Sequence, residues 1–219
     1  PAHVYTTPGT YTVMLTATGP GGSDGETKAA LVTVLFPAPV ADFGAAPTSG
    51  VAPLTVQFTD ASSGNVAARS WSFGDGGTSS ATNPSHVYTT PGTYTVTLTS
   101  TGPGGTDGET KAALIVVQHP APVAAFTATP TSGIAPLTVQ FTDASTNTVT
   151  SWAWDFGDGA SATTASPAHV YTTPGTYTVM LTATGPGGAD GETKAALVTV
   201  QFPAPVADFG AAPTSGVAP

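Results

Sequence analysis

A length of 219 residues would ordinarily hold one or two domains, and the charge balance narrows what those domains do. Four Lys and Arg stand against 13 Asp and Glu, a net charge of −9, so the chain has no basic patch to neutralise nucleic-acid phosphates. It has no cysteine, which excludes disulfides and thiolate metal sites, and no apolar run approaches the ~20 residues that span a bilayer.

Length alone is overridden by a repeat. The words His-Val-Tyr-Thr-Thr-Pro-Gly-Thr-Tyr-Thr-Val begin at His3, His86 and His169, 83 residues apart. Residues 1–36 therefore read as the later strands of one domain, 37–119 and 120–202 as two complete domains, and 203–219 as the opening strand of the next. The expectation is a window on a longer array; a piece cut at arbitrary sites is the alternative.

Within 37–119 the elements follow in order. Residues 40–46 read as an opening strand and Pro47-Thr48-Ser49-Gly50 as a turn. Leu54, Val56 and Phe58 alternate with Thr55, Gln57 and Thr59, the period of a half-buried strand. Residues 70–73 form a third strand, ended by Gly74-Asp75-Gly76-Gly77, and 86–88 a short piece. Pro91-Gly92 turns the chain into the strand 93–99, because proline presets φ and glycine accepts φ > 0; Pro174-Gly175 does the same in the next repeat. Gly102-Pro103-Gly104-Gly105 reads as a loop, Asp107-Gly108 as a second turn, and 112–117 as the closing strand. Six or seven short strands without helical periodicity predict a β-sandwich.

Trp154-Asp155-Phe156-Gly157-Asp158-Gly159, followed by His169-x-Tyr171-x-x-Pro174-Gly175-x-Tyr177-x-Val179, resembles the polycystic kidney disease (PKD) domain. The preceding copy matches with Trp71, Phe73, Asp75, His86, Tyr88, Pro91, Gly92, Tyr94 and Val96, and departs only in Ser72 where Asp155 stands. The resemblance covers the whole chain. It implies tandem immunoglobulin-like β-sandwiches outside the cell, of the kind found in surface layers, adhesins and the accessory parts of secreted hydrolases. A fold of this kind does not by itself name a function.

Trp71, Phe73, Tyr88 and Tyr94, with Trp154, Phe156, Tyr171 and Tyr177, are the expected core, and Asp75 and Asp158 are expected to accept backbone N–H bonds within their turns. Trp152 stands apart, because its counterpart is Arg69; a rim position and an exposed contact are both consistent with that exchange. Any calcium site would have to be built from Asp107 and Glu109, or Asp190 and Glu192, but these lack the spaced carboxylates of a calcium loop, so no cofactor is expected. The histidines lack the partners a zinc site or a catalyst needs, and no nucleophile-histidine-acid set stands out, so no enzyme is expected. The 41 threonines either suit solvent-facing strand positions or carry O-linked sugars.

Proline-alternating joints, Phe36-Pro37-Ala38-Pro39 and His119-Pro120-Ala121-Pro122, are short and semi-rigid. Residues 1–53 match 167–219 at all but two positions yet differ from 84–136 at twelve, so the deeper period is two domains, 166 residues. Recent pairwise duplication explains this, and so does a fibre whose adjacent junctions differ. The reading is a structural extracellular array, a rod or fibre that touches its own neighbouring domains and further copies laterally. The alternative is a spacer or a carbohydrate- or protein-binding module of a secreted hydrolase or adhesin.

Overall fold

The alternating threonine and apolar stretches form β-strands throughout, and among the described residues no helix is long and apolar enough to cross a membrane. The computed structural model describes residues 1–208 and 215–216; the opening strand expected in 203–219 falls largely on residues outside these. The chain divides into two units, Pro1–Gln118 and His119–Pro219.

In the first unit, β1 (Gly9–Gly19) and β2 (Gly22–Val34) form a two-stranded antiparallel hairpin. A complete sandwich follows, made of β3 (Phe43–Ala46), β4 (Ser49–Val51), β5 (Leu54–Asp60), β6 (Ala68–Ser72), β7 (Thr78–Ser79), β8 (Ser85–Tyr88), β9 (Gly92–Gly102) and β10 (Gly105–Gln118). One sheet has the order β4-β10-β9-β6-β7 and the other β3-β5-β8. The second unit repeats this with β11 (Phe126–Thr129), β12 (Ser132–Ile134), β13 (Leu137–Asp143), β14 (Ser151–Asp155), β15 (Ser161–Ala162), β16 (Ala168–Tyr171), β17 (Gly175–Gly185) and β18 (Gly188–Gln201), in sheets β12-β18-β17-β14-β15 and β11-β13-β16. These are immunoglobulin-like β-sandwiches.

Period two decides which side chains enter the core. Val56, Phe58, Val96 and Leu98 face inward with Trp71, while Thr55, Gln57, Thr95 and Thr97 face out. Trp71 stands opposite Leu98 and packs against Phe43 and Phe58, with ring centroids 5.2 and 5.7 Å away. Its Nε1 donates to the Ala81 carbonyl at 2.9 Å, so the polar edge of the indole costs nothing on burial. Tyr88 is buried and donates to the Phe73 carbonyl at 2.9 Å, and Tyr94, half-buried, donates to the Thr90 carbonyl at 2.6 Å across the Pro-Gly turn. Trp154, Tyr171 and Tyr177 repeat these bonds to Thr164, Phe156 and Thr173.

Several boundaries differ from the sequence expectation, each for a tertiary reason. The opening strand begins at Phe43 rather than Val40, because the Ala41 N–H is taken by the Asp107 side chain and Val40 only bridges Ser63. Ser49 and Gly50 belong to a strand rather than a turn: beyond Pro47 the chain leaves the small sheet, and β4 pairs in parallel with Val116–Gln118 on the open edge of β10. Asp107-Gly108 is not a turn either. The reversal is already made at Pro103-Gly104, between paired Gly102 and Gly105, and β10 runs on through Asp107 opposite Ser100. Gly74 is obligatory for two reasons: its φ is +87°, and a Cβ there would lie 2.4 Å from the Thr95 carbonyl oxygen.

Replacing Trp154 by alanine should cost about 3–5 kcal/mol, a large part of a domain's stability. Chemical denaturation that returns less than about 1 kcal/mol would contradict the burial of this indole.

Candidate functional site

Three constellations gather the polar residues of each sandwich. The first is the glycine-aspartate turn after β6. Asp75 Oδ1 accepts the Gly77 N–H at 2.9 Å, and Oδ2 lies 2.7 Å from His86 Nε2. The imidazole stacks on Phe73 with centroids 4.2 Å apart and meets Tyr88 edge-on at 4.7 Å. Asp158, His169, Phe156 and Tyr171 repeat the arrangement, with the same 2.7 Å contact. The ring is held as a strut between turn and core. Asp155 also accepts the Gly157 N–H at 2.9 Å, a bond that Ser72 does not make in the other copy.

Burial raises the Asp75 carboxyl, but the bonds from His86 and the Gly77 N–H outweigh it and hold its pKa below the ordinary carboxylate value. Asp158 is depressed in the same way by His169 and the Ala160 N–H against the same burial.

The second constellation fastens the first strand to the last hairpin. Asp107 Oδ2 accepts the Ala41 N–H at 2.8 Å, and Asp190 Oδ2 accepts Ala124 N–H at 2.8 Å. The next free donor, Phe43 N–H, is met by Asp42 Oδ1 at 2.7 Å. In the second sandwich Ala125 stands where Asp42 was, and Glu192 Oε2 reaches across to Phe126 N–H at 2.9 Å. Lys111 donates to the Phe43 carbonyl, pairs with Asp42 at 3.0 Å and lies 4.8 Å from the Phe43 ring centroid. Lys194 sits 4.7 Å from the Phe126 ring and 3.7 Å from Glu192. Asp107, Asp190 and Glu192, sought above as calcium ligands, thus each accept a bond from a backbone donor; at the fourth candidate, Glu109, the equivalent donor, Phe43 N–H, is taken by Asp42 instead. Among the described residues no three His, Asp or Glu side chains converge as a metal site.

The third constellation answers the Arg69/Trp152 exchange. Arg69 Nε donates to Asp60 Oδ2, and Trp152 Nε1 donates to the equivalent Asp143 Oδ2 at 2.7 Å. Trp152 is half-buried and packs against the core cluster, so the structure corrects its reading as an exposed contact: the half-buried Asp143 carboxylate holds the indole edge. The position demands an N–H donor, which both residue types supply. Cross-strand neighbours follow suit. Arg69 pairs with Ser100, which is buried and bonded to Ser62 at 2.9 Å, whereas Trp152 pairs with Ala183. Asp60, Asp143, Lys111 and Lys194 were not singled out from the sequence; their recurrence in each repeat was the available signal.

Thermal melting with calcium and with chelator should nearly coincide, since Asp107, Asp190 and Glu192 already hold backbone donors and no three acidic side chains among the described residues converge; a large calcium-dependent rise in Tm would contradict the clasp. Because the folded Asp75 and Asp158 pKa values are depressed, the stability they contribute is full above the ordinary carboxylate value of ~4 and is lost as pH falls through the depressed one. Asp75→Asn with Asp158→Asn should flatten the acid limb of a stability–pH curve, and an unchanged slope would show that the turns do not contribute to it.

The family described as PKD domain matches residues 37–117 and 118–200. Collagenase ColA of Bacillus cereus is 40% identical over 78 residues, covering 34% of this chain and 8% of the collagenase. Among solved structures, the PKD1 domain of the Vibrio cholerae metalloprotease PrtV is 35% identical, covering 36% of this chain and 98% of that one, with a TM-score of 0.32. The PKD1 domain of Vibrio anguillarum Epp is 34% identical, covering 37% and 98%, with a TM-score of 0.33. With both matched stretches carrying the same sandwich, the same Gly-Asp-Gly turn and the same buried tryptophan, the chain belongs to the PKD domain family.

Proposed function

We propose that this chain is a structural, non-catalytic part of an extracellular array, in which PKD domains joined end to end make a stiff fibre, stalk or surface layer. The observation that carries the reading is where the chain enters and leaves each sandwich. It enters beside the tip of the β9–β10 hairpin: a Cβ on Gly104 would lie 2.1 Å from the Pro37 carbonyl oxygen, so the glycine lets the joint lie against the turn. It leaves from Gln118, the far end of β10, roughly 40 Å away at strand rise. Gly187 receives Pro120 in the same way, at 2.3 Å, and β18 ends at Gln201.

Domains entered at one pole and left at the other extend when they are strung together. The proline-alternating joints add little slack, and a net charge of −9 resists folding back. The polar constellations all act within a sandwich, on its own backbone and side chains, which suits a load-holding part better than a ligand site.

A second reading, an accessory module of a secreted hydrolase, is favoured by one observation: the relatives at 34–40% identity are a collagenase and two Vibrio proteins, one of them a metalloprotease. Small-angle X-ray scattering and electron micrographs of native material separate the two. The array reading expects a maximum dimension above roughly 100 Å for this chain, as three such lengths in line would give, and filaments in the micrographs. A compact particle that co-purifies with peptidase activity would support the module instead.

A further inference from the structure

The segment that leads into each sandwich is seated on that sandwich. The carbonyls of Phe36 and Pro37 lie against Gly104 at the tip of the β9–β10 hairpin, Ala38 lies beside Gly105, and Pro39 packs near Gly102 and Gly64. His119, Pro120, Ala121 and Pro122 repeat this on Gly187, Gly188 and Gly185 of the second sandwich. The second proline of each segment, Pro39 or Pro122, is buried. Neither Gly104 nor Gly187 has a left-handed backbone, and the atoms that a side chain there would strike first belong to the seated segment. Beyond the seat the chain is fixed by paired backbone bonds, Val40 with Ser63 at 3.0 and 2.9 Å and Val123 with Thr146 at 3.2 and 3.0 Å.

The two seats differ at one position. Gly64, at φ +85°, and Asn147, at φ +63°, hold the same place in their turns, and asparagine is one of the few residues besides glycine that tolerates this backbone. Gly64 offers no side chain to the segment beside it; a Cβ there would lie 3.2 Å from Pro39 Cα. Asn147 Nδ2 instead donates to the Ala121 carbonyl at 2.6 Å. The segment so bonded is also the more enclosed: Pro120 is half-buried where Pro37 is exposed.

We infer that the glycine tip of the closing hairpin is a docking surface for the Pro-Ala-Pro segment ahead of it, and that Asn147 latches one kind of segment while the other, at Gly64, is unlatched. Each joint is then a strap that belongs to the sandwich it enters. Two prolines hold such a strap extended before it docks, so little chain entropy is lost on seating it. An extended strap has no internal hydrogen bonds, which leaves the Ala121 carbonyl free for Asn147. The freedom left to a joint lies ahead of the strap, in the one or two residues after the preceding closing strand. This deepens the array reading, on which its use rests: with the two-domain period, latched and unlatched joints alternate.

The test is amide relaxation by NMR on the isotope-labelled full chain, read at Ala38 and Ala121. Expected is an order parameter of about 0.85 at Ala121, equal to that of the strands, and a lower one at Ala38 that stays above the ~0.6 of a flexible segment. Asn147→Gly keeps the left-handed turn and should bring Ala121 down to the Ala38 value, while Gly64→Asn should bring Ala38 up. Gly187→Ala should unseat the strap and drop Ala121 below ~0.6, with the Trp154 indole N–H resonance unmoved as the sign of an intact sandwich. Values below ~0.6 at both alanines of the unaltered chain, or no change at Ala121 in the Gly187→Ala chain, overturn the docking surface. Equal values at the two alanines, or an Asn147→Gly chain with Ala121 unchanged, overturn the latch. These readouts do not depend on filaments, so micrographs without them would overturn the array and leave the straps standing.

Discussion

Each sandwich depends on one indole. Trp71 and Trp154 project from the larger sheet onto two phenylalanines of the smaller one, Phe43 and Phe58 or Phe126 and Phe141, and each indole donates its N–H to a carbonyl of the following loop. An indole is large enough to touch both sheets at once, so its burial couples strands that have no backbone bonds to one another. The leucine opposite it, the stacked phenylalanine two residues on, and the histidine strut outside that phenylalanine form one continuous stack from core to turn. With no disulfide in the chain, such packing has to hold the domain.

The acidic residues do a second job that their spacing conceals. Two backbone N–H groups at the start of each sandwich are met by side chains rather than by a neighbouring strand, and a buried donor without an acceptor is expensive. Asp107 and Asp190 of the distant closing hairpin meet the first; the second is met by the adjacent Asp42 in one sandwich and by Glu192 of the closing hairpin in the other. The loss of Asp42 in the alternate copy is thus compensated, since Glu192 reaches the donor that Ala125 cannot serve.

That compensation gives the two-domain period a physical content. One kind of domain combines Asp42, Arg69 and Ser100; the other combines Ala125, Trp152 and Ala183. Arg69 stands opposite Ser100 and Trp152 opposite Ala183, and Ser62 links Ser100 to the Asp42 backbone, so these exchanges are coupled. Exchanging one residue alone would strand a hydroxyl or crowd an indole. Pairwise duplication explains how such sets spread, and the contacts explain why they stay together. Met14, Thr97 and Met180, on the outward face of their strands, also alternate; nothing in the structure explains that exchange.

The sequence by itself determined the period, the all-β class, the inward and outward faces of the long strands and the aromatic core. These follow from repetition and from side-chain alternation, which acts over a few residues; the φ > 0 expected of Gly92 and Gly175 is not adopted, because each glycine opens a strand of the larger sheet. Tertiary structure decided the rest. Ser49-Gly50 pairs as a strand because an open edge of β10 passes beside it; Asp107-Gly108 stays in a strand because the turn is spent four residues earlier. Asp107 and Asp190 became clasps on donors 66 positions away, and the Trp152 indole edge is held by Asp143. For the parallel edge and the two clasps the deciding partner is remote in the chain, and a local pattern carries no record of which donor a carboxylate will meet once the sheets close.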